Sequence, residues 1–310
     1  MLFRSGMGLL LVAAIIALGV VLGMKWFRNR GPSPAAEADS TAAAAPAAPA
    51  PASAQPSEPA AGTRPAPAAS PAALGPDPAL PAFNEARTLV ESGQMPAARE
   101  KALGALAAAQ DGAVRRQVED LLGRIHTALI FTPSPMAEKV DYTIQPGDTL
   151  AGIAKQHKTT IELLTRGNGI KSAVIRPADR LRILTGQFSV LVDKSDNELV
   201  LSLNDRFFKR YRVGTGKFEK TPAGQFKITD RIAQPTWWRP DGKAVPFGDK
   251  ENVLGTHWLS LDLPGYGIHG TWEPDTVGKQ ESAGCIRLVN ADIEELFTLL
   301  PVGTPVVIQE

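Results

Sequence analysis

The chain has 310 residues, with 33 Lys and Arg residues against 32 Asp and Glu residues, and it contains a single cysteine. The near balance of charge excludes a strongly basic protein that binds nucleic acid through its net charge, so no nucleic-acid partner is expected. One cysteine excludes an intramolecular disulfide. With four scattered histidines and no second cysteine, we expect neither a metal nor an organic cofactor.

Residues 1–30 are predicted to form a transmembrane anchor. Residues 7–24 are an uncharged run rich in Leu, Val, Ile and Ala. As a helix they span roughly 27 Å, close to the thickness of a bilayer core. A cleaved signal peptide is the alternative, but the Ala-x-Ala sequences around residues 43–50 lie too far beyond the run for normal cleavage.

A linker and a small helical segment are predicted to follow. Residues 31–82 contain 13 prolines, 21 alanines and no aromatic residue, which is typical of a disordered tether. In residues 83–131, apolar residues recur at three- and four-residue steps, and Asp111 is placed to cap the last helix. This pattern resembles one and a half tetratricopeptide-type hairpins, and a structural spacer is favoured over a partner-binding unit. We expect His126 to lie on the exposed side of its helix.

Residues 140–185 are predicted to form a strand, two helices and a closing strand. Residues 142–150 read Tyr-Thr-Ile-Gln-Pro-Gly-Asp-Thr-Leu, in which a Pro-Gly turn leads into a helix capped by Asp148 or Thr149. The segment resembles the lysin motif (LysM) in this opening and in its Asn-Gly-Ile at residues 168–170. The resemblance implies binding of peptidoglycan through N-acetylglucosamine-containing glycans, with a degenerate spacer as the alternative. The implied groove is formed by Gly147, Asp148, Thr149, Leu150, Asn168, Gly169 and Ile170.

From residue 187 to residue 310 the sequence is predicted to be mainly β, as a sandwich or barrel with one helix. Short alternating segments, among them residues 188–193, 198–203 and 206–213, are separated by turn residues. One clear helical pattern appears, at about residues 292–300. The length is sufficient to bury a hydrophobic core.

Two segments of this region, residues 266–271 and 282–287, hold the residues suited to nucleophilic catalysis. A thiol needs a base near neutral pH, and His269 precedes Cys285 by 16 residues, far enough to lie on a neighbouring strand. Gly284 allows backbone amides to approach a developing oxyanion. Arg287 follows Cys285 by two residues, so in an extended strand both side chains lie on one face. Its charge is expected to lower the thiol pKa or to hold a substrate carboxylate.

The order His-Gly-Thr followed by Ser-x-Gly-Cys-Ile-Arg resembles the L,D-transpeptidase catalytic domain over roughly residues 187–310. The resemblance implies that Cys285 attacks a tetrapeptide stem of peptidoglycan, releases D-alanine and forms a thioester, which an amine of a second stem converts into a cross-link. The catalytic residues expected on this basis are Cys285, His269, Gly270, Ser282, Gly284 and Arg287. The residues expected to bind substrate are Tyr266, Thr271, Ala283, Trp237 and Trp238, with core packing as the alternative for the two tryptophans.

Two alternative functions stay open at this stage. Water instead of an amine would make the protein an L,D-carboxypeptidase or an endopeptidase, and a non-catalytic peptidoglycan tether is the other possibility. Lys25, Arg28 and Arg30 follow the apolar run and by themselves favour a cytoplasmic location for the remaining chain. Because the downstream motifs act on peptidoglycan, we nevertheless expect a single-pass cytoplasmic-membrane protein whose catalytic domain lies outside the cytoplasm, in the periplasm or cell wall.

Overall fold

The computed structural model describes residues 76–172 and 174–310. The predicted anchor at residues 1–30, and the predicted linker as far as residue 75, lie outside the described residues. In the described ranges, no helix combines the length and the apolar character needed to cross a bilayer.

Three helices come first in the described chain: α1 (Leu80–Glu91), α2 (Met95–Ala108) and α3 (Gly112–Ile130). The carboxylate of Asp111 caps α3 as predicted, because it accepts hydrogen bonds from the amides of Ala113 and Val114. Helix α2 packs against both α1 and α3. Its buried face consists of small residues, which allow the helices to approach closely; these are Ala98, Ala102 and Ala105.

The next unit has the predicted order of strand, helix, helix and strand. It consists of β1 (Lys139–Thr143), α4 (Leu150–Gln156), α5 (Ile161–Gly167) and β2 (Arg180–Leu184), with β1 antiparallel to β2. The hydroxyls of Thr149 and Thr160 cap the two helices. The unit has a hydrophobic core of its own, formed by Ile144, Leu150, Ile153, Ala154, Leu164, Leu181 and Ile183.

The remaining chain is mainly β with one α-helix, as predicted, and takes the form of a half-barrel. Its long strands are β3 (Phe188–Asp193), β4 (Glu198–Leu203), β5 (Arg206–Arg212), β7 (Gly224–Ala233), β10 (His257–Leu261) and β14 (Pro305–Gln309). The short strands are β6 (Thr215–Gly216), β8 (Trp237–Trp238), β9 (Ala244–Val245), β11 (Gly267–His269), β12 (Gln280–Ser282) and β13 (Ile286–Arg287). Helix α6 (Asn290–Leu299) packs across β10 and β11.

The main sheet has eight strands in the order β13, β11, β10, β7, β14, β3, β4 and β5. The pairs β11–β13 and β14–β3 are parallel and the other neighbours are antiparallel. Two small ribbons accompany it: β6 pairs with β12, and β8 pairs with β9. This topology puts β11 and β13, which hold the two chemistry-bearing segments, next to each other at one edge.

The three N-terminal helices share one hydrophobic core with this sheet. Helix α3 packs on β5, and His126 on α3 is only 1% exposed. Its Nδ1–H donates to the Phe208 carbonyl at 2.8 Å, and its ring stacks on the Phe208 ring with 5.0 Å between centroids. The prediction that His126 is exposed is therefore wrong, because β5 covers the face of α3 on which it lies.

Ion pairs also join the helices, the sheet and α6. The guanidinium of Arg210 on β5 contacts Glu119 on α3 and Glu198 on β4. The carboxylate of Glu295 on α6 accepts hydrogen bonds from Lys209 Nζ at 2.8 Å and from the Tyr211 hydroxyl at 2.7 Å, both on β5. Of these contacts, the one between Arg210 and Glu119 joins the helical segment to the domain that carries the candidate site.

Candidate active site

The pairing of β11 with β13 brings the two chemistry-bearing segments together. Ile268 lies opposite Ile286 and His269 lies opposite Arg287 in a parallel register. Cys285 comes directly before β13, next to Gly267 on the neighbouring strand. The spacing of 16 residues between His269 and Cys285 thus corresponds to one excursion of the chain between two adjacent strands.

Cys285 is half-buried at a cavity of about 450 Å³. Its thiol donates a hydrogen bond to the Gly265 carbonyl with 3.6 Å between sulfur and oxygen. Burial raises the pKa of the Cys285 thiol above its ordinary value, and the Gly267 backbone and the charge of Arg287 act in the opposite direction. The thiol is therefore protonated in the resting site near neutral pH.

His269 is 3% exposed, and its ring stacks on the Trp258 ring with 5.6 Å between centroids. Its Nδ1 lies 2.6 Å from the Gly270 carbonyl oxygen. Because a carbonyl only accepts, Nδ1 carries the proton and Nε2 carries a lone pair. Burial, assisted by the charge of Arg287, lowers the pKa of His269 to about 4, against the opposing effect of the Gly270 and Leu254 carbonyls. The imidazole is thus a neutral base near pH 7, and among the described residues it forms no hydrogen bond with the thiol.

The loop before Cys285 is closed by Ser282. The Ser282 hydroxyl accepts from the Gly284 amide at 3.1 Å and donates to the Cys285 carbonyl at 2.7 Å. Gly284 has a φ of +136°, and a Cβ built on it would lie 3.0 Å from the Tyr266 ring and 3.1 Å from the Lys220 carbonyl oxygen. Only glycine fits here. Backbone amides of this loop were expected to approach an oxyanion. Ser282 engages the Gly284 amide, whereas the Cys285 amide has no hydrogen-bond partner among the described residues.

Arg287 lies beside this pair without lining the cavity. Its side chain is 13% exposed, and its Nη1 donates to the Thr276 hydroxyl at 3.0 Å and lies 3.9 Å from a Glu273 carboxylate oxygen. Its charge lowers the pKa of both Cys285 and His269.

The wall of the cavity is largely apolar and includes four aromatic side chains. Trp237 and Trp238 come from the β8–β9 hairpin, Trp258 from β10 and Tyr266 from the loop before β11. The lining of this cavity contains no charged side chain among the described residues. Such a wall suits the apolar and amide portions of a peptide rather than a free charge.

Two parts of the chain match known protein families. Residues 187–308 match the family model of the L,D-transpeptidase catalytic domain, YkuD, and residues 142–184 match the LysM domain. YkuD of Bacillus subtilis, named as an L,D-transpeptidase, is 34% identical over 174 residues, which cover 54% of this chain and 97% of that protein. The chain belongs to the L,D-transpeptidase family.

A further relative and two solved structures resemble parts of the chain. YqjB of Bacillus subtilis, also named as an L,D-transpeptidase, is 38% identical over 133 residues, which cover 41% of this chain and 74% of that protein. L,D-transpeptidase 3 from Mycobacterium tuberculosis covers 57% of this chain and 93% of its own, at 14% identity and a TM-score of 0.35. The catalytic domain from Enterococcus faecium covers 40% and 97%, at 24% identity and a TM-score of 0.34. The assignment to the family rests on the sequence matches.

Two substrate-binding predictions in the L,D-transpeptidase domain need comment. Thr271 does not line the cavity: it is 4% exposed, and its hydroxyl accepts a hydrogen bond from the Glu273 amide at 3.0 Å, so it holds a turn. Ala283 is exposed on the loop before Gly284. Trp258 was missed by the sequence reasoning, because only the register of β10 with β11 reveals that it lies opposite His269.

In the LysM domain, the predicted glycan-binding side chains mostly hold their own loops. The Asp148 carboxylate accepts from the Tyr142 hydroxyl at 2.8 Å and from the Gln145 amide at 2.7 Å. The Asn168 amide group donates to two backbone carbonyls and accepts from the Arg182 amide. Leu150 lies in the core, Ile170 is partly buried against it, and Gly147 and Gly169 are exposed. What these two loops offer to a glycan is therefore chiefly backbone.

Proposed function

We propose that this chain is a peptidoglycan L,D-transpeptidase in which Cys285 is the nucleophile and His269 the general base. The observation that carries the proposal is a half-buried thiol at a largely apolar cavity, beside a buried, neutral imidazole whose proton lies on Nδ1 and whose lone pair therefore lies on Nε2. In this family context, a thiol and a neutral imidazole on adjacent strands suit acyl transfer.

The proposed acylation starts from the uncharged pair. Cys285 sulfur attacks the carbonyl carbon between the diamino acid and the terminal D-alanine of a tetrapeptide stem, and His269 Nε2 takes the thiol proton. The Cys285 amide donates to the oxyanion that forms. As the carbon–nitrogen bond breaks, the imidazolium returns the proton to the leaving amine, so D-alanine departs and a thioester remains on Cys285.

The proposed second half-reaction repeats these steps with a new nucleophile. An amine of a second stem attacks the thioester carbonyl, and His269 accepts a proton from that amine. The carbon–sulfur bond then breaks, the proton returns to the sulfur, and the two stems are joined by an amide. The LysM domain contributes by holding the glycan strand near the catalytic domain, which raises the local concentration of stems.

The proposed location is the outer side of the cytoplasmic membrane. The apolar run at residues 7–24 supports a single anchoring helix, and a substrate built outside the cytoplasm supports an external catalytic domain.

The decisive experiment compares the protein with its Cys285→Ala variant on defined tetrapeptide stems. Mass spectrometry is expected to detect a thioester adduct on the unaltered protein and equal amounts of D-alanine and dimer among its products. In the variant, the rate of D-alanine release is expected to fall by at least about 10³-fold. Unchanged melting temperature and retention on peptidoglycan control for folding. D-alanine released without dimer would favour the carboxypeptidase alternative, and cross-linking by the variant would rule out Cys285 as the nucleophile.

A further inference from the structure

Thr221, in the loop between β6 and β7, contacts the loop that precedes Cys285. It is 1% exposed, and its hydroxyl donates to the Gly284 carbonyl at 2.8 Å. The same hydroxyl accepts from the Gly216 amide at 2.8 Å. The single proton of the Thr221 hydroxyl is therefore donated to Gly284, the residue that precedes Cys285.

This hydrogen bond fixes the direction of the Cys285 amide. The Gly284 carbonyl and the Cys285 N–H belong to one planar peptide unit and point in opposite directions. Because the Gly284 carbonyl points toward the Thr221 hydroxyl, the Cys285 N–H points away from Thr221. Ser282 engages the Gly284 amide and the Cys285 carbonyl, the groups on either side of this peptide unit. The Cys285 N–H is left as the donor without a partner among the described residues.

Thr221 is itself held firmly in place. The ammonium of Lys194, a residue that is 6% exposed, donates to the Thr221 carbonyl at 3.2 Å and pairs with the Glu310 carboxylate at 2.7 Å. A Cβ built on Gly216 would lie 2.9 Å from the Gly284 Cα, so β6 is in direct backbone contact with the loop before Cys285. The Gly284 backbone is thus packed closely against the part of the chain that leads into Thr221.

We propose that Thr221 is a positioning residue that aims the Cys285 amide at the oxyanion formed during acyl transfer. The inference rests on the proposed role of Cys285 and adds to it the support that orients the oxyanion donor. A hydroxyl that only stabilised the fold would alter the melting temperature without separating one reaction of Cys285 from another.

Two reactions of Cys285 separate these roles. Acylation by a tetrapeptide stem forms an oxyanion, whereas alkylation by iodoacetamide joins sulfur to a saturated carbon, expels iodide and forms none. Thr221→Val is expected to lower kcat for D-alanine release by about 10- to 100-fold, with KM changed by less than about threefold. Its rate of alkylation by iodoacetamide stays within about twofold of the unaltered protein. Thr221→Ser keeps both hydrogen bonds and recovers most of kcat.

Thr304→Val is the matched control. Thr304 is also a buried threonine, 4% exposed, whose hydroxyl donates to a backbone carbonyl, that of Pro301, at 2.7 Å, but it does not line the cavity at Cys285. Its loss is expected to lower the melting temperature and leave kcat unchanged. If Thr221→Val does not fold, the comparison of Thr221→Ala with Thr221→Ser replaces it.

Full kcat in the variant without the hydroxyl, or equal losses in acylation and alkylation, would overturn the inference. Cys285→Ala separates it from the proposed function. An inactive Cys285→Ala beside a fully active Thr221→Val would overturn the positioning role alone, whereas an active Cys285→Ala would overturn both.

Discussion

At the scale of single residues, the active site is built around an uncharged pair. Burial raises the pKa of Cys285 and lowers that of His269 to about 4. Because the thiol pKa lies above the imidazole pKa, the proton stays on sulfur. Arg287 lowers both pKa values and does not reverse that order. In the proposed mechanism, the proton therefore leaves the thiol during attack on the substrate instead of beforehand.

This order predicts a particular pH profile for alkylation of Cys285. In the free protein, the rate with iodoacetamide is expected to rise by about tenfold per pH unit between pH 6 and 8, because the thiolate fraction grows throughout this range, below the raised thiol pKa. Arg287→Gln removes the cation that lowers the thiol pKa, so its profile is expected to shift to higher pH. A rate already constant from about pH 5 would instead indicate a resting thiolate–imidazolium pair.

Sequence reasoning named residues that the structure brings together at this site, but not the distant residues that contact them. Cys285, His269 and Ser282 stand in short motifs whose chemistry is legible from residue type and order. Trp258 and Thr221 contact the site from a strand and a loop that are distant in sequence, and these contacts depend on the fold. Thr271 was misjudged because a hydroxyl next to a motif looks available until the turn that buries it is known.

At the scale of elements, periodicity predicted the helices but not their surroundings. In α3 the spacing of apolar residues and the Asp111 cap were sufficient to predict the helix. Whether a polar residue such as His126 faces water depends on which element packs against its side of the helix. Here that neighbour is β5, and its pairing with α3 spans 82 residues of sequence.

Burial of His126 predicts a loss of stability in acid. Its pKa is lowered to about 4 in the folded protein, against about 6.5 in the unfolded chain. The unfolded state thus binds more protons between these values, and the contribution of His126 to stability is lost as pH falls from 6.5 to 4. The difference in free energy of unfolding between the protein and His126→Gln is expected to shrink by up to about 1.4 kcal/mol per pH unit over this window. Urea unfolding at pH 7, 5.5 and 4.5 measures it, and a constant difference would contradict the buried neutral state.

The shared core predicts that the helical segment is required by the catalytic domain. A chain that begins at residue 132 would expose the face of β5 and the ring of Phe208, which α3 covers. We expect it to be insoluble or to melt at least about 10 °C lower than a chain that begins at residue 76, which keeps all three helices. Equal melting temperatures for the two chains would favour the interpretation of this segment as a spacer.

At the scale of the whole molecule, composition and motifs predict the order of the segments along the chain. They do not predict how the folded segments contact one another. The LysM domain contacts the catalytic domain through Arg231, which donates to Glu162 at 3.0 Å and to the Phe297 carbonyl at 2.5 Å. Thr160, the cap of α5, also donates to the Thr298 carbonyl. No local pattern in the sequence announces these contacts, because each joins residues that are more than 60 positions apart.

The location of the chain is the property on which its sequence signals conflict, and it has a direct test. The apolar run at residues 7–24 is long enough to span a bilayer. The basic residues that follow it favour retention of the C-terminal part in the cytoplasm, whereas a peptidoglycan substrate requires that part outside. We expect protease added to intact spheroplasts to degrade the catalytic domain of the full-length protein, while a cytoplasmic control protein survives. We also expect a chain lacking residues 2–30 to act normally on isolated peptidoglycan, because the anchor supplies location and not chemistry. Protection of the catalytic domain until the spheroplasts are lysed would show that the flanking charges determine the orientation.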